Sequence, residues 1–178
     1  MKHSRPYGSV CSKVAAAESG QAALEFALIA ALMLVLFCMV IDFGRAIHVV
    51  QVMAGLSRQG SNLASRGTTL SDSAAAVIAG DAPLNLSKNG EVIITSVANL
   101  NRVFTITGQV SEGGISQNSR VGKGVGNRAN VPSSAAAMLQ PGQTIYVTEI
   151  FYSYQAITPI QNLLKFAMPS KLYQSAYF

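Results

Sequence analysis

The chain has 178 residues, 49% of them hydrophobic and 12% charged, with two cysteines and a net charge of +5. That length holds one modest domain, the low charge content fits a membrane-anchored protein, and the scattered cations do not make a nucleic-acid surface. Cys11 and Cys38 have neither metal-ligand spacing nor a neighbouring histidine, so no disulfide core, metal centre or activated thiol is expected.

Residues 1–19 carry Lys2, Arg5 and Lys13, with Pro6 and Gly8 against folded structure, and read as a disordered cytoplasmic leader. Gly20 follows. From Gln21 to Ile41 the only charge is Glu25. As a helix this stretch is roughly 30 Å long, about the hydrocarbon thickness of a bilayer, and it reads as a membrane span. Its uncharged core, Phe26 to Ile41, is near the short limit, so Gln21–Leu24 or Phe43 must enter the membrane as well. The cations ahead of the span place the N-terminus inside by the positive-inside rule, with Arg45 and Arg58 narrowing the margin. A secretory signal peptide would have a shorter apolar run with its small-residue site behind it; here the small residue, Gly20, stands in front.

Cleavage after Gly20 would put Glu25 fifth in the mature chain. A carboxylate near lipid costs at least a few kcal/mol and persists there with a partner or a task. A neighbour offering a cation would be such a partner, because opposite charges attract strongly where the dielectric is low. The plainer reading is a side chain reaching the headgroups.

Beyond the span the helix continues. Asp42 and Arg45 are three apart and can form an ion pair on one face at the membrane boundary. Val49, Val52, Met53, Leu56, Gly60 and Leu63 then draw an apolar stripe, with Ala54, Gly55, Ser61 and Ala64 adding small residues for close helix approach. The stripe packs either on this chain's own domain or on another subunit. Helicity is expected to fail at Gly67-Thr68-Thr69.

A basic leader ending in Gly20, then Gln21-Ala-Ala-Leu-Glu25-Phe26 and an apolar helix, resembles the signal cut by prepilin peptidases. With Glu25-Phe-Ala-Leu-Ile29, Asp42-Phe-Gly-Arg45 and Arg58-Gln-Gly-Ser-Asn-Leu-Ala-Ser-Arg66, the first third of the chain is similar to TadE-like minor pilins (pseudopilins) of Tad, or Flp, pilus systems. The resemblance implies cleavage between Gly20 and Gln21, with Glu25 and Phe26 serving processing recognition and subunit assembly. It also implies, as partners, prepilin peptidase, other TadE/TadF-type pseudopilins, the major Flp pilin and the inner membrane. The glutamate would meet the freed amine of a neighbouring subunit. Ala30-Ala31 stands where many members have a proline, and Gln21 differs from the phenylalanine usual at this place in type IVa pilins.

Further along, Asp72 to Ala79 reads as a short helix capped by Ser71 and ended by Gly80. Glu91–Val97 and Arg102–Val110 read as a β-hairpin turning through Ala98-Asn-Leu-Asn101, with Phe104, Ile106 and Val110 on one face and Thr105 and Thr107 on the other. Glu112 to Asn130 lacks hydrophobic periodicity and reads as a long mobile loop. Its Gly122-Lys-Gly-Val-Gly-Asn-Arg128 has neither the strand before nor the Lys-Ser/Thr ending that a phosphate loop needs. A brief helix at Ser133–Leu139, a turn at Pro141-Gly142 and a strong strand at Gln143–Tyr154 follow, with Tyr146, Tyr152 and Tyr154 read as half-buried sheet residues. Ile160, Leu163, Leu164, Ala167 and Met168 mark an amphipathic helix that would cover the sheet, stopped by Pro169.

The expected architecture is α+β, divided into a cleavable leader (1–20), a membrane-spanning and extended helix (21–66) and a periplasmic or extracellular domain (67–178) with about three antiparallel strands and short helices. No catalytic constellation or cofactor motif is visible, His48 is a lone polar-interface residue, and Glu149 has no sequence neighbour to make it an acid or base. A minor pilin at the inner membrane, passing into the pilus after processing, is the favoured reading. A permanently anchored binding module using the tyrosines and the basic loop is the alternative, with an anchored enzyme last.

Overall fold

The computed structural model describes residues 8–158 and 169–178. One helix dominates it: α1 runs unbroken from Gly8 to Ser65. The segment from Gly8 to Ser19 is thus helical, where Pro6 and Gly8 predict disorder. Extending an existing helix avoids the nucleation cost, and Ala15-Ala16-Ala17 are good helix formers. The stop is as expected: Gly67 takes φ +93°, and the Thr68 and Gly67 amides return to the Leu63 and Ala64 carbonyls at 3.3 and 3.2 Å, a Schellman turn.

Helix α2, Leu70–Ala79, starts two residues earlier than the pattern predicts. Its cap is Thr69 rather than Ser71: the Thr69 hydroxyl accepts from the Asp72 amide at 3.1 Å and donates to the Asp72 carboxylate at 2.6 Å. Ser71 instead donates to Glu112 on the sheet. A single turn, α3 (Leu86–Asn89), leads into β1 (Gly90–Leu100) and β2 (Val103–Gly113); α4 (Ser133–Met138) precedes β3 (Thr144–Ser153), and β4 (Lys171–Tyr177) follows.

Among the described residues the strands form one antiparallel sheet in the order β2-β1-β3-β4. It has one strand more than the sequence pattern indicates. The added strand, Lys-Leu-Tyr-Gln-Ser-Ala-Tyr177, alternates too weakly for a period of two to reveal it. The helix expected after Pro159 falls within 159–168, outside the described residues. The hairpin turns through Asn101-Arg102, both at positive φ (53° and 68°), a two-residue connection whose twist suits the paired strands.

A bulge between Ser96 and Val97 adds one residue, Thr107, to β2 and reverses its alternation. Phe104 and Ile106 therefore join Val97, Val121, Ala129 and Val147 on one face, while Val110 lies with Val92, Ile94 and Ile150 on the other. That corrects the expectation that all three β2 residues share a face, because a simple period of two does not survive an inserted residue.

The two faces are covered differently. On the face that holds Val110, Val49, Met53, Leu56 and Ala64 of α1 and Ala74 and Val77 of α2 pack on the strands. The apolar stripe therefore belongs to this chain's own core. The face that holds Phe104 and Ile106 is covered by residues 114–131, which are strapped down rather than mobile. Buried Glu91 accepts from Ser111 Oγ and the Gln117 amide; buried Glu149 accepts from Ser119 Oγ, from the Arg120 amide at 2.9 Å and from the Tyr173 hydroxyl at 2.9 Å. Arg120 lies 3.7 Å above the Tyr173 ring, and Val121 and Ala129 are buried beneath the strap. Hydrophobic period does not reveal such a segment, because polar anchors hold most of it.

Candidate functional site: the bare half of helix α1

The residues singled out from sequence fall on α1, and the structure divides that helix at Asp42. Between Gly20 and Ile41 the large apolar side chains stand free of the fold: Phe26 is 73% exposed and Val40 70%. At Asp42 exposure drops to zero, and from there one face of the helix is docked on the sheet. Such an uncovered stretch is unstable in water, so lipid or other helices must cover it. The helix is long and apolar enough to cross a membrane, as a single-pass anchor requires.

At the cytoplasmic end by the sequence reading, Gly20 sits on an exposed turn where nothing lies within 4 Å of an added Cβ. Gln21 Nε2 donates to Glu25 Oε1 at 3.1 Å, one helical turn along. The structure thus places Gly20, Gln21, Glu25 and Phe26 on one short, accessible segment. Among the described residues, Glu25 has no partner from the folded domain.

Asp42 and Arg45 are arranged differently from the expected ion pair. The Asp42 carboxylate accepts from the Ile157 amide at 3.2 Å and from the Thr158 hydroxyl, and its backbone carbonyl accepts from the Tyr154 hydroxyl at 2.9 Å. These bonds cross the fold to the segment after β3 instead of following the helix. Arg45 remains near enough to favour the Tyr154 phenolate, yet burial, the larger effect, pushes that phenol above its ordinary value. Asp42 is therefore the clamp where the bare helix enters the domain. Sequence reasoning marked it as a boundary residue but could not find partners more than a hundred residues away.

Tyr146 and Tyr152 are half-buried on β3, as expected, whereas Tyr154 lies just past the strand and is fully buried. Among the described residues no three His, Cys, Asp or Glu side chains gather to hold a metal. The amides of Gly124 and Gly126 are taken by Gln109 and Ile106, so the glycine-rich strap offers no open phosphate cradle. Glu149, unremarkable in sequence, becomes a buried anchor through hydrogen bonds contributed by the strap and β4.

Fold and site together define an α+β protein whose long apolar N-terminal helix, consistent with a single-pass membrane anchor, is a large uncovered surface among the described residues. Residues 20–62, starting at that surface and ending where α1 meets the sheet, match the family of TadE-like proteins. The likeness suggests a pilin-like protein associated with a Tad pilus, and it is a likeness to structural rather than enzymatic proteins. No curated protein and no solved structure matches the chain.

Proposed function

We propose that this chain is a minor pilin, or pseudopilin, of a Tad (Flp) pilus, made with a leader of residues 1–20 that prepilin peptidase removes between Gly20 and Gln21. The observation that carries the reading is the bare apolar half of α1, which begins where the family match begins and holds Glu25 as its one charge. Before assembly, residues 21–41 span the inner membrane with the N-terminus in the cytoplasm and the domain in the periplasm. On assembly the same surface exchanges lipid for the helices of other pilins, of the TadE/TadF type or the major Flp pilin.

Trimming has a chemical consequence at Glu25. It frees the Gln21 amine, and a cation meeting a carboxylate in low dielectric gives a strong, register-setting attraction between neighbouring subunits. Phe26 beside it supplies apolar contact for the peptidase and then for the next helix. The subunit primes the pilus or joins it sparsely, contributing to surface adhesion.

The test is the intact mass and N-terminal sequence of membrane-extracted protein from cells with and without prepilin peptidase. A chain beginning at Gln21 only when the peptidase is present is the expected result. A chain beginning at Met1 in both overturns the reading in favour of a permanently anchored binding module.

A further inference from the structure

The end of the sheet farthest from Asp42 has a composition unlike the rest of the domain. Asp42, Asp81, Glu91 and Glu112 all belong to the near end, where Asp42 meets Tyr154, Asp81 holds the Leu86 amide, and Glu91 and Glu112 lie at the Gly90 end of the hairpin. Along the hairpin's far half, Thr95 to Thr107, and from Gly113 to Thr148 there is no acidic residue. This far end carries Arg102 in the hairpin turn and Arg128 on the strap, both exposed.

Between the two arginines lie two adjoining clefts with Phe104 as their common wall. One runs past Arg128 to Val131; the other is bounded by Arg102, Ala136, Leu139 and Pro141. In the hairpin beside Arg102, Leu100 is 51% exposed and Val103 47%. The clefts are held in shape. Buried Asn99 accepts from the Arg102 amide at 2.9 Å and donates to the Leu139 carbonyl at 3.0 Å, tying the hairpin turn to the end of α4. On the other side the Ala129 amide donates to the Phe104 carbonyl at 2.7 Å.

We infer that this far end is a docking site for an acidic protein segment, its carboxylates meeting Arg102 and Arg128 and an apolar side chain entering a cleft against Phe104. The charge complementarity requires an anion, since each guanidinium presents a fork suited to a carboxylate and no acidic residue of the surrounding chain competes. The cleft bounded by Arg102, Ala136, Leu139 and Pro141 is mainly apolar and favours a peptide over a purely charged polymer, because a polymer of charge alone leaves its walls wet. The site lies on the folded domain and does not depend on removal of the leader.

The test uses the full chain in detergent micelles and fluorescence anisotropy of a labelled peptide alternating glutamate with leucine and phenylalanine. Saturable binding is expected, weakened about tenfold or more by Arg102→Gln and similarly by Arg128→Gln, as for loss of a charge-assisted hydrogen bond. Lys88→Gln, at the opposite end, should leave it unchanged, and unaltered melting of each variant would show that the fold is intact. Absence of saturable binding, or equal binding by the double arginine variant, overturns the site. Equal binding of a glutamate–glycine peptide, or heparin binding more tightly than the apolar peptide, overturns the assignment to a protein segment.

Discussion

The Ser61 hydroxyl of α1 stands inside the sheet's hydrogen-bonding ladder, accepting from the Thr148 amide of β3 at 3.0 Å. Ser61 Oγ also lies 2.9 Å from the Ala176 carbonyl of β4, so one helical side chain bridges two strands. Gly60 makes this approach possible. A Cβ there would sit 2.8 Å from Thr148 Oγ1 and 2.9 Å from Val77 Cγ2, closer than real contacts allow. Helix and sheet are fastened at this joint, and the bare half of α1 projects from a base that it locks.

Ser61→Ala should leave the Thr148 amide buried without its acceptor and cost about 1–3 kcal/mol. For a chain of this length that is a fall of roughly 2–12 °C in melting temperature in detergent. Gly60→Val should cost at least as much through overpacking. Melting of either variant within a degree of the parent would contradict the joint.

Asp42→Ala removes the carboxylate acceptor for the Ile157 amide and the Thr158 hydroxyl, with an expected loss of about 3 kcal/mol. Asp42→Asn keeps one acceptor oxygen and should lose less. Hydrogen exchange at residues 154–158 reads the difference directly: faster exchange in the alanine variant, intermediate in the asparagine one. Exchange unchanged in both would mean that the clamp does not hold this segment.

Glu149→Ala withdraws the acceptor shared by Ser119, the Arg120 amide and Tyr173. Amides of the strap around residues 119–121 should exchange about tenfold faster or more, as the loss of one such interaction implies, while those of β1 stay protected. Uniform acceleration across the sheet would show Glu149 to be a general core residue instead of a strap anchor.

Tyr173 is pushed up to about 12, chiefly by burial, with the Ser175 hydrogen bond opposing and nearby Glu149 adding to the rise. The folded state therefore holds this proton more tightly than the unfolded chain, whose phenol titrates near 10. Stability is unaffected below pH 10 and falls as pH climbs from 10 through 12. Tyr173→Phe should remove that part of the alkaline slope in pH-dependent melts, and an unchanged slope would assign it elsewhere.

Glu25→Gln deletes a charge whose burial in lipid is costly, so membrane insertion should be at least as efficient as in the parent. Under the proposed function the variant fails to assemble, because the freed Gln21 amine of a neighbour has no carboxylate to meet. Intact pili containing the variant, seen by immunogold labelling, would remove Glu25 from assembly.

The sequence was most readable where a single period rules. The α1 stop at Gly67, the hairpin, the strand through Tyr146 and Tyr152 and the bare span are all visible as periodicity or its end. The expectations that failed lie where contacts override period: Thr107 bulges and moves Val110 to the opposite face, β4 alternates too weakly to announce itself, and the strap from Gly114 to Val131 is ordered by two distant glutamates. For the candidate site, the location of Gly20, Gln21, Glu25 and Phe26 needed no structure. The partners of Asp42 did.

What the chain determines alone is the presence of one uncovered apolar helix with a carboxylate near its start, because hydropathy and helical length are local properties summed along contiguous residues. Only the tertiary structure decides where that helix stops being bare. The boundary at Asp42, the Ser61 bridge to Thr148 and the strap anchored by Glu91 and Glu149 all join residues far apart in the chain. Their hydrogen bonds exist once the sheet has set its register, and no local pattern encodes them.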